Sequence, residues 1–278
     1  MAVVIVTDSS AQLSSEMLHQ WNIRVVPLHV LHEGIDLLDG LDPIPEDIHE
    51  RPHVSTAGAA PIELADGYRR ALADSGGDGV VAVHLSAALS STFSSAMTAA
   101  REAGPAVRVI NSRSAAMGVG YLALAAARLA ADGAELDAVE AQVRSQIGGQ
   151  HTFITVHRLD NLRRSGRIGT AASWLGTALS LKPLLRLDVD GRLVLDQRVR
   201  TVAKAHTAMI ERVIAAVGER PASITVHHVA NRGGADEIRS ALYSALPHID
   251  SVDVADMGPV LAVHVGAGAV GVVVNVHE

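Results

Sequence analysis

Residues 79–111 read GVVAVHLSAALSSTFSSAMTAAREAGPAVRVIN, and this stretch decides the fold class. Two β-branched runs, VVAV and VRVI, flank an Ala-rich segment that is long enough for about three helical turns. Strands that alternate with helices in this way form βαβ units, whose strands lie parallel in one sheet. The alternation continues on both sides, with AVVIV before the stretch and GYLALAAARLAADG after it. The first half therefore predicts a parallel α/β sheet.

The pattern of strands and helices becomes less regular after Gly149. The segment RLDVDGRLVLDQRVR predicts a hairpin around Asp190-Gly191, ASITVHHV and VVVNVH predict strands, and GADEIRSALYSAL predicts a helix. We expect an α/β protein of two domains. The first, residues 1–149, is an N-terminal parallel α/β sheet domain, and the second, residues 150–278, is a smaller C-terminal mixed-sheet α/β domain.

Composition excludes several classes of function. The 278 residues carry a formal charge of −7, and only 3% are aromatic, so the chain lacks the basic surface and the stacking platforms of a nucleic-acid binder. The absence of cysteine excludes disulfides, thiolate metal sites and cysteine nucleophiles. No targeting pattern and no long uncharged apolar run occurs, so we expect a cytoplasmic protein that does not span a membrane.

Gly266, Gly268 and Gly271 match the G-x-G-x-x-G spacing of a dinucleotide-binding turn. That turn must open a helix, because the helix N-terminus holds the pyrophosphate. Here the β-branched run VVVNVH follows, which is typical of a strand. We therefore predict a strand at this point, and we expect no cofactor.

Asp8 and the histidines allow both a chemical and a structural interpretation. Asp8 follows the first strand and could accept a phosphoryl group, but dehalogenase-like phosphatases have a second aspartate where this chain has Ser10. A turn with a helix cap is the simpler interpretation. His227 and His228 are neighbours in a predicted strand, so they point to opposite faces and cannot chelate one metal ion. We expect no metal site.

Two further segments indicate binding of an anion. Ser86, Ser90, Ser91 and Thr92 lie at a junction of strand and helix, where free backbone N–H groups suit a carboxylate or a phosphate, although ordinary capping explains the same residues. The segment NLRRSGRIGTAASWLGTALSLKPLL places three arginines in a Gly-containing turn before an Ala/Leu-rich helix. Arginine forks recognise carboxylates and phosphates, whereas the alternative is a solvated basic face.

Taken together, these stretches resemble the DegV family, the fatty-acid-binding subunits of the bacterial fatty-acid kinase system. The resemblance is carried in order by VTDSS, STAGAAP, LSAALSSTFSSA, LDNLRRSGRIGTAASWLGTALSLKPLL, RVRTVAKA and VLAVHVGAGAVGVVV, and the fourth is the most specific. It implies a two-domain DegV-like fold with the ligand between the domains. It also implies that the chain is no catalyst: it sequesters a long-chain fatty acid and presents the carboxylate to a separate ATP-dependent kinase, which makes acyl phosphate for phospholipid synthesis.

The resemblance assigns the carboxylate site residue by residue. Thr56 stands at the threonine of the family's T-S-x-P-S loop, and Ser90 at a serine of its S-S-x-L-S-G-T loop. His264 matches the histidine of H-T-G-P-G and would join the same network. Arg167 matches the arginine of G-R-I-G and would lie near the carboxylate or the docking kinase. With Arg167, Arg163 and Arg164 are the expected docking residues for the kinase.

The chain also departs from the family's motifs at six positions, Ala57, Ala60, Ala87, Ser91, Val265 and Ala267. The alanines remove hydroxyl groups from both loops. Water, or the hydroxyls of Ser86 and Thr92, would replace the lost donors, and a changed class of ligand is the alternative.

Two other functions stay open at this point. The chain could be a stand-alone cleft enzyme, a hydrolase or phosphotransferase that uses Asp8, Ser90 or His264. It could instead be a sensor whose affinity for a protein partner depends on the bound ligand.

Overall fold

The computed structural model describes residues 2–168 and 182–277. Contacts divide these residues into two units. Unit 1 holds the chain up to Pro43 together with Thr56–Gly148, and unit 2 holds Ile44–Ser55 together with the chain from Gly149 onward. Within the described ranges, no helix is both long enough and apolar enough to cross a membrane.

Unit 1 is built on a parallel sheet, as its sequence predicts. Its strands are β1 (Val4–Asp8), β2 (Arg24–Val26), β3 (His29–His32), β4 (Ile35–Leu38), β5 (Ser55–Ala57), β6 (Val80–His84) and β7 (Val107–Asn111). Four of them form a sheet in the order β2-β1-β6-β7, and all three pairings are parallel. The strands β1 and β6 are buried along their whole length, which explains why both read as continuous apolar runs. A second, three-stranded sheet has the order β4-β3-β5.

The helices of unit 1 cover this parallel sheet. They are α1 (Ser15–Gln20), α2 (Pro61–Ser75), α3 (Thr92–Ala103), α4 (Met117–Ala131) and α5 (Leu136–Gln146). Helix α2 begins at a proline, whose missing N–H is not needed in the first turn, and ends where Gly76 adopts a left-handed φ of 63°. Helix α4 approaches the turn after β1 so closely that a Cβ on Gly120 would lie 2.7 Å from the carbonyl oxygen of Ala11. Only glycine permits that approach.

Unit 2 is built on a mixed sheet, which confirms the fold class. Its strands are β8 (Gln150–Thr155), β9 (Lys182–Leu187), β10 (Leu193–Val199), β11 (Ala222–His228), β12 (Ile249–Asp256) and β13 (Val270–Val276). They have the order β10-β9-β8-β13-β11-β12, in which only the pair β11 and β12 is parallel. Its helices are α6 (Asp160–Arg164), α7 (Val202–Val217), α8 (Arg232–Ala245) and α9 (Pro259–Val265). The predicted hairpin joins β9 to β10, and the run VVVNVH lies in β13 as a strand.

The core of unit 2 lies between the mixed sheet and the helices α7 and α8. Leu184 of β9 and Met209 of α7 are both fully buried in this cluster, together with the alternate valines of β13, Val270, Val272, Val274 and Val276. Small and branched aliphatic side chains therefore fill the interior, as the low aromatic content requires. The helices α7 and α8 begin with side-chain caps, in which Thr201 accepts the N–H of Lys204 and Asn231 accepts that of Gly234.

We expect Leu184→Ala to lower the free energy of unfolding by about 2–5 kcal/mol, because it leaves a cavity in this cluster. The matched control is Val189→Ala in the β9–β10 turn, where the side chain is 82% exposed and the change should stay within about 0.5 kcal/mol. Urea unfolding followed by circular dichroism measures both. Equal losses in the two variants would contradict the assignment of this core.

Candidate functional site

The order of the parallel sheet brings two loops of unit 1 together. The chain leaves β1 toward β2 on one side, and β6 pairs with β1 on the other side. In open α/β sheets, ligands bind beyond the carboxyl ends of the strands, at the point where the connections diverge in this way. In unit 1 this point lies between the turn after Asp8 and the loop after His84. The loop from Ser86 to Thr92, which the sequence singled out, is therefore at the expected place.

Ser90 and Thr92 form a pair of hydroxyl groups at the start of α3. Their side-chain oxygens lie 2.9 Å apart, and the backbone N–H of Thr92 donates to Ser90 Oγ at 3.2 Å. Thr92 is fully buried, whereas Ser90 is partly exposed. Since α3 has twelve residues, its first turn offers free N–H groups and the positive end of a helix dipole beside these hydroxyls.

The loop that carries Thr56 touches this hydroxyl pair. Thr56 lies in β5, and Gly58 follows directly after the strand. A Cβ on Gly58 would lie 2.6 Å from Thr92 Oγ1 and 3.0 Å from Ser90 Oγ. The backbone of this loop therefore lies directly against both hydroxyls, and it can do so only because residue 58 is glycine. Thr56 lies two residues before this contact, so the loop that carries it lies against Ser90 and Thr92 in unit 1.

Ser86 lies deeper in the same loop. Its side chain is fully buried, its backbone N–H donates to the carbonyl oxygen of Ser114 at 2.8 Å, and its Oγ accepts the N–H of Ala88 at 3.2 Å. The side-chain oxygen of Asn111 accepts the N–H of Ala87 at 3.1 Å. These bonds hold the backbone of the loop, so the loop does not depend on a hydroxyl at position 87.

A buried chain of polar side chains lies under the two loops, and sequence reasoning missed most of it. Asp8 is 0% exposed and accepts hydrogen bonds from His84 Nδ1 and the N–H of Leu85, both at 3.0 Å, and from the N–H and hydroxyl of Ser10. His84 Nε2 lies 2.8 Å from the hydroxyl of Tyr68. The only sequence signal was a histidine at the end of an apolar strand.

This geometry decides between the two interpretations of Asp8. The carboxylate accepts four hydrogen bonds. One of them comes from the backbone N–H of Ser10, which is the bond that the side chain of an N-cap residue accepts. A nucleophile must reach its substrate, but this side chain is entirely enclosed. Burial raises the pKa of Tyr68, so its phenol stays protonated and serves as a donor. Asp8 is therefore a structural carboxylate.

Asp39 is a second buried carboxyl group at this edge of unit 1. It lies in the turn after β4 with 6% of its surface exposed, and its Oδ2 accepts the hydroxyl of Ser9 at 2.8 Å. Burial raises its pKa to about 6, the bond from Ser9 opposes the shift, and the charge of Asp8 adds to it. Asp39 lines a cavity of about 320 Å³ together with Gln12, among others.

In unit 2, the positive charge of the predicted site residue Arg167 acts on the predicted site residue His264. His264 lies in the last turn of α9, and burial, together with the positive charge of Arg167, lowers its pKa to about 4. The imidazole is therefore neutral at physiological pH and carries one donor and one acceptor nitrogen. A neutral donor beside a guanidinium suits a carboxylate without adding a second charge.

The described part of the arginine segment is held to α9 by an asparagine that sequence reasoning did not single out. The side-chain amide of Asn161, in α6, donates to the carbonyl oxygen of Val263 at 3.1 Å. Arg163 and Arg164 close α6 with exposed side chains. The predicted Ala/Leu-rich helix after Gly169 lies outside the described residues.

Neither the metal interpretation nor the nucleotide interpretation gains a site from the geometry. Across residues 2–168 and 182–277, no three His, Asp or Glu side chains are grouped to hold a metal ion. Burial lowers the pKa of His227 to about 4, so it is a neutral core residue. Gly266 and Gly268 form the turn from α9 into β13, with φ of 79° and 80°.

Comparison with known proteins places these features in a family. A family model described as an uncharacterised protein of the DegV family matches residues 2–276. A DegV domain-containing protein of Mycobacterium tuberculosis is 60% identical over 276 residues, which cover 99% of this chain and 98% of the relative.

Solved structures agree with this result. A DegV family protein from Thermus thermophilus, described as binding fatty acid, superposes with a TM-score of 0.92 at 31% identity, and all of both chains is covered. DegV of Bacillus subtilis, described as a fatty acid binding protein, superposes with a TM-score of 0.89 at 26% identity, again over all of both chains.

We expect Asp39→Asn to stabilise the protein at alkaline pH. Because the folded-state pKa of Asp39 is about 6 rather than 3.8, the stability that its proton contributes is present at low pH and is lost as the pH rises through about 6. Asparagine stays neutral at both pH values. The free energy of unfolding of the variant should therefore exceed that of the wild type by about 1–3 kcal/mol at pH 8 and equal it at pH 4.

Urea unfolding at both pH values measures this difference. The exposed Asp132→Asn is the matched control and should behave like the wild type at both. A variant that is less stable than the wild type at pH 8 would show that Asp39 is ionised and well satisfied in the folded protein.

Proposed function

The chain belongs to the DegV family, and on that premise we propose that it binds one long-chain fatty acid and presents the carboxylate to a separate ATP-dependent kinase. The Thermus and Bacillus proteins, both described as fatty-acid binding, support this proposal because their likeness covers the whole chain. The kinase transfers the phosphoryl group to the carboxylate, so acyl phosphate is the product and this chain is its substrate-binding subunit. The acyl phosphate then serves phospholipid synthesis.

The observation that carries the proposal is the contact between the Thr56 loop and the hydroxyls of Ser90 and Thr92. A carboxylate that leaves water needs hydrogen-bond donors, or its burial costs several kcal/mol. Thr56 and Ser90 supply hydroxyl donors, and the first turn of α3 adds backbone N–H groups. Thr92 holds Ser90 in place, and Ser86, whose hydroxyl is already used within the loop, shapes the backbone around them.

His264 and Arg167 are assigned to the same carboxylate by the family motifs they match. The neutral imidazole of His264 would donate one hydrogen bond, and Arg167 would supply the positive charge. Binding an anion favours the protonated form of a nearby histidine, so the pKa of His264 would rise when the ligand binds.

Affinity would come mainly from the acyl chain. A C16 fatty acid carries about 14 methylenes, each worth about 0.8 kcal/mol on leaving water, or about 11 kcal/mol before the costs of ordering. The head group then contributes orientation more than affinity. Such a ligand would be retained through purification.

The exposed Arg163 and Arg164 are proposed to contact the kinase. Both residues end α6 with exposed side chains, so their positive charges lie at a surface that an acidic partner can approach. Arg167 follows in the same turn and would link the docking surface to the carboxylate.

Replacing the two hydroxyl donors together, Thr56→Ala with Ser90→Ala, should weaken fatty-acid binding by about tenfold or more, because each hydrogen bond to a charged group contributes about 1.5–3 kcal/mol. Denaturing extraction of the purified wild-type protein and mass spectrometry first identify the acid that it carries. Titration of that acid into delipidated protein then gives the affinity.

Ser91→Ala is the matched control, since Ser91 is exposed in the same loop. It should bind like the wild type. An unchanged affinity in the double variant, with a near-stoichiometric acid still bound, would remove both hydroxyls from the site. A wild-type protein that carries no fatty acid and takes none up would overturn the proposed function itself.

For the kinase, Arg167→Ala should reduce acyl-phosphate formation by roughly tenfold at limiting kinase, because an interfacial arginine is lost. The assay combines fatty-acid-loaded protein with the fatty-acid kinase catalytic protein and ATP. Arg232→Ala, an exposed cation on α8, is the control and should keep the wild-type rate. A wild-type rate for Arg167→Ala would exclude that arginine from docking.

A further inference from the structure

His29, in β3, has a carboxylate at each of its two ring nitrogens. Nδ1 lies 2.8 Å from Asp36 Oδ1, and Nε2 lies 2.9 Å from Glu63 Oε2. The histidine itself is only 7% exposed. Ionised carboxylates accept hydrogen bonds but cannot donate them, so both contacts are hydrogen bonds only when both ring nitrogens carry a proton. The geometry is that of an imidazolium between two anions.

Glu63 links His29 to the loop of the proposed site. Its Oε2 also accepts the backbone N–H of Ala60 at 2.7 Å, immediately before α2. Through this bond the carboxylate of Glu63 holds the end of the loop from Thr56 to Ala60. Two residues earlier, Gly58 lies against the hydroxyls of Ser90 and Thr92.

The sheet gives the loop a second link to the same histidine. Strand β3 lies between β4 and β5, so the strand that carries His29 pairs with the strand that carries Thr56. The ring of His29 therefore joins three elements: Asp36 from β4, Glu63 from α2, and, through Glu63, the end of the loop that follows β5.

We propose that His29 is a positioning residue for the fatty-acid site: as an imidazolium it binds Asp36 and Glu63 together and so holds the Thr56–Ala60 loop against Ser90 and Thr92. This inference rests on the proposed function, because it concerns the loop assigned to the carboxylate. It adds a dependence of ligand retention on pH that none of the hydroxyl groups would produce.

The direction of the pH effect follows from the charges around the ring. Burial on its own lowers the pKa of His29, but the hydrogen bonds and negative charges of Glu63 and Asp36 together raise it above 6.5. Among the described residues, these two are the charged groups that face the ring, and β5 contributes no titratable side chain. Because the folded-state pKa is the higher one, the anchor is complete below pH 6.5 and is lost as the pH rises through the raised pKa.

The test measures the rate of fatty-acid release from loaded protein between pH 6 and pH 9. The probe is the acid that the wild-type protein carries. We expect release from the wild type to accelerate as the pH rises, and we expect His29→Gln to release about tenfold faster at pH 6 with little further change, because a charge-assisted hydrogen bond is lost. His19→Gln, an exposed histidine of the same unit, should follow the wild type.

Asp36→Asn leaves the imidazole ring of His29 in place. This variant therefore distinguishes a positioning role of the charged ring from a general contribution of His29 to stability. It removes one of the two charges that raise the pKa of His29, so the pH at which release accelerates should fall below that of the wild type. Hydrogen exchange of the free protein gives a readout without ligand. The amides between Thr56 and Ala60 should exchange about tenfold faster in His29→Gln than in the wild type at pH 6, while those of α4 stay unchanged.

Three results would overturn the proposal. One is a folded His29→Gln variant with the wild-type release rate and pH profile. Another is faster exchange throughout unit 1, which would mean that His29 supports the whole unit. The third is an Asp36→Asn variant with an unshifted profile. If the wild-type protein takes up no fatty acid, the proposed function fails, and exchange of the Thr56–Ala60 amides still decides the role of His29.

Discussion

The buried carboxylate of Asp8 is the constraint on which the carboxyl edge of unit 1 depends. It ends β1, yet two of its hydrogen bonds come from His84 and Leu85 at the end of β6. A charge removed from water at this depth would be costly without such donors. Because the donors come from the neighbouring strand and its loop, satisfying the charge also fixes where the loop after β6 begins. The positions of Ser90 and Thr92, which lie in that loop and at the start of α3, depend on these hydrogen bonds to Asp8.

Much of the fold could be predicted from the sequence because its buried strands read as short, continuous apolar runs between turn residues and helical segments. The strands β1, β6 and β13 are fully buried β-branched segments, and glycines end helices such as α2. The polar chain from Asp8 through His84 to Tyr68 could not be predicted, since its bonded pairs are 76 and 16 residues apart and no spacing links them. For the same reason His29 gave no signal: its partners lie on a different strand and on a helix.

At two of the loop positions where alanine replaces a hydroxyl residue, Ala87 and Ala60, the backbone is held by a hydrogen bond to a side chain. At position 87 the backbone N–H donates to Asn111, and at position 60 it donates to Glu63. Both loops are therefore held at these positions through their backbone N–H groups, which any residue except proline supplies. A motif written only in terms of the loop residues therefore understates how well the loop is held.

A subunit that passes its ligand to another protein must hold the acyl chain firmly and the carboxylate loosely enough to react. Donors that bind the carboxylate equally well before and during phosphoryl transfer add affinity and do not lower the barrier. If Ser90 and His264 bind the carboxylate as proposed, these neutral donors would meet this requirement better than a second fixed cation, since the pKa of His264 is about 4. Under the proposed function, apolar burial would retain the ligand, neutral hydrogen bonds would orient its head group, and Arg167 would serve the partner as well as the ligand.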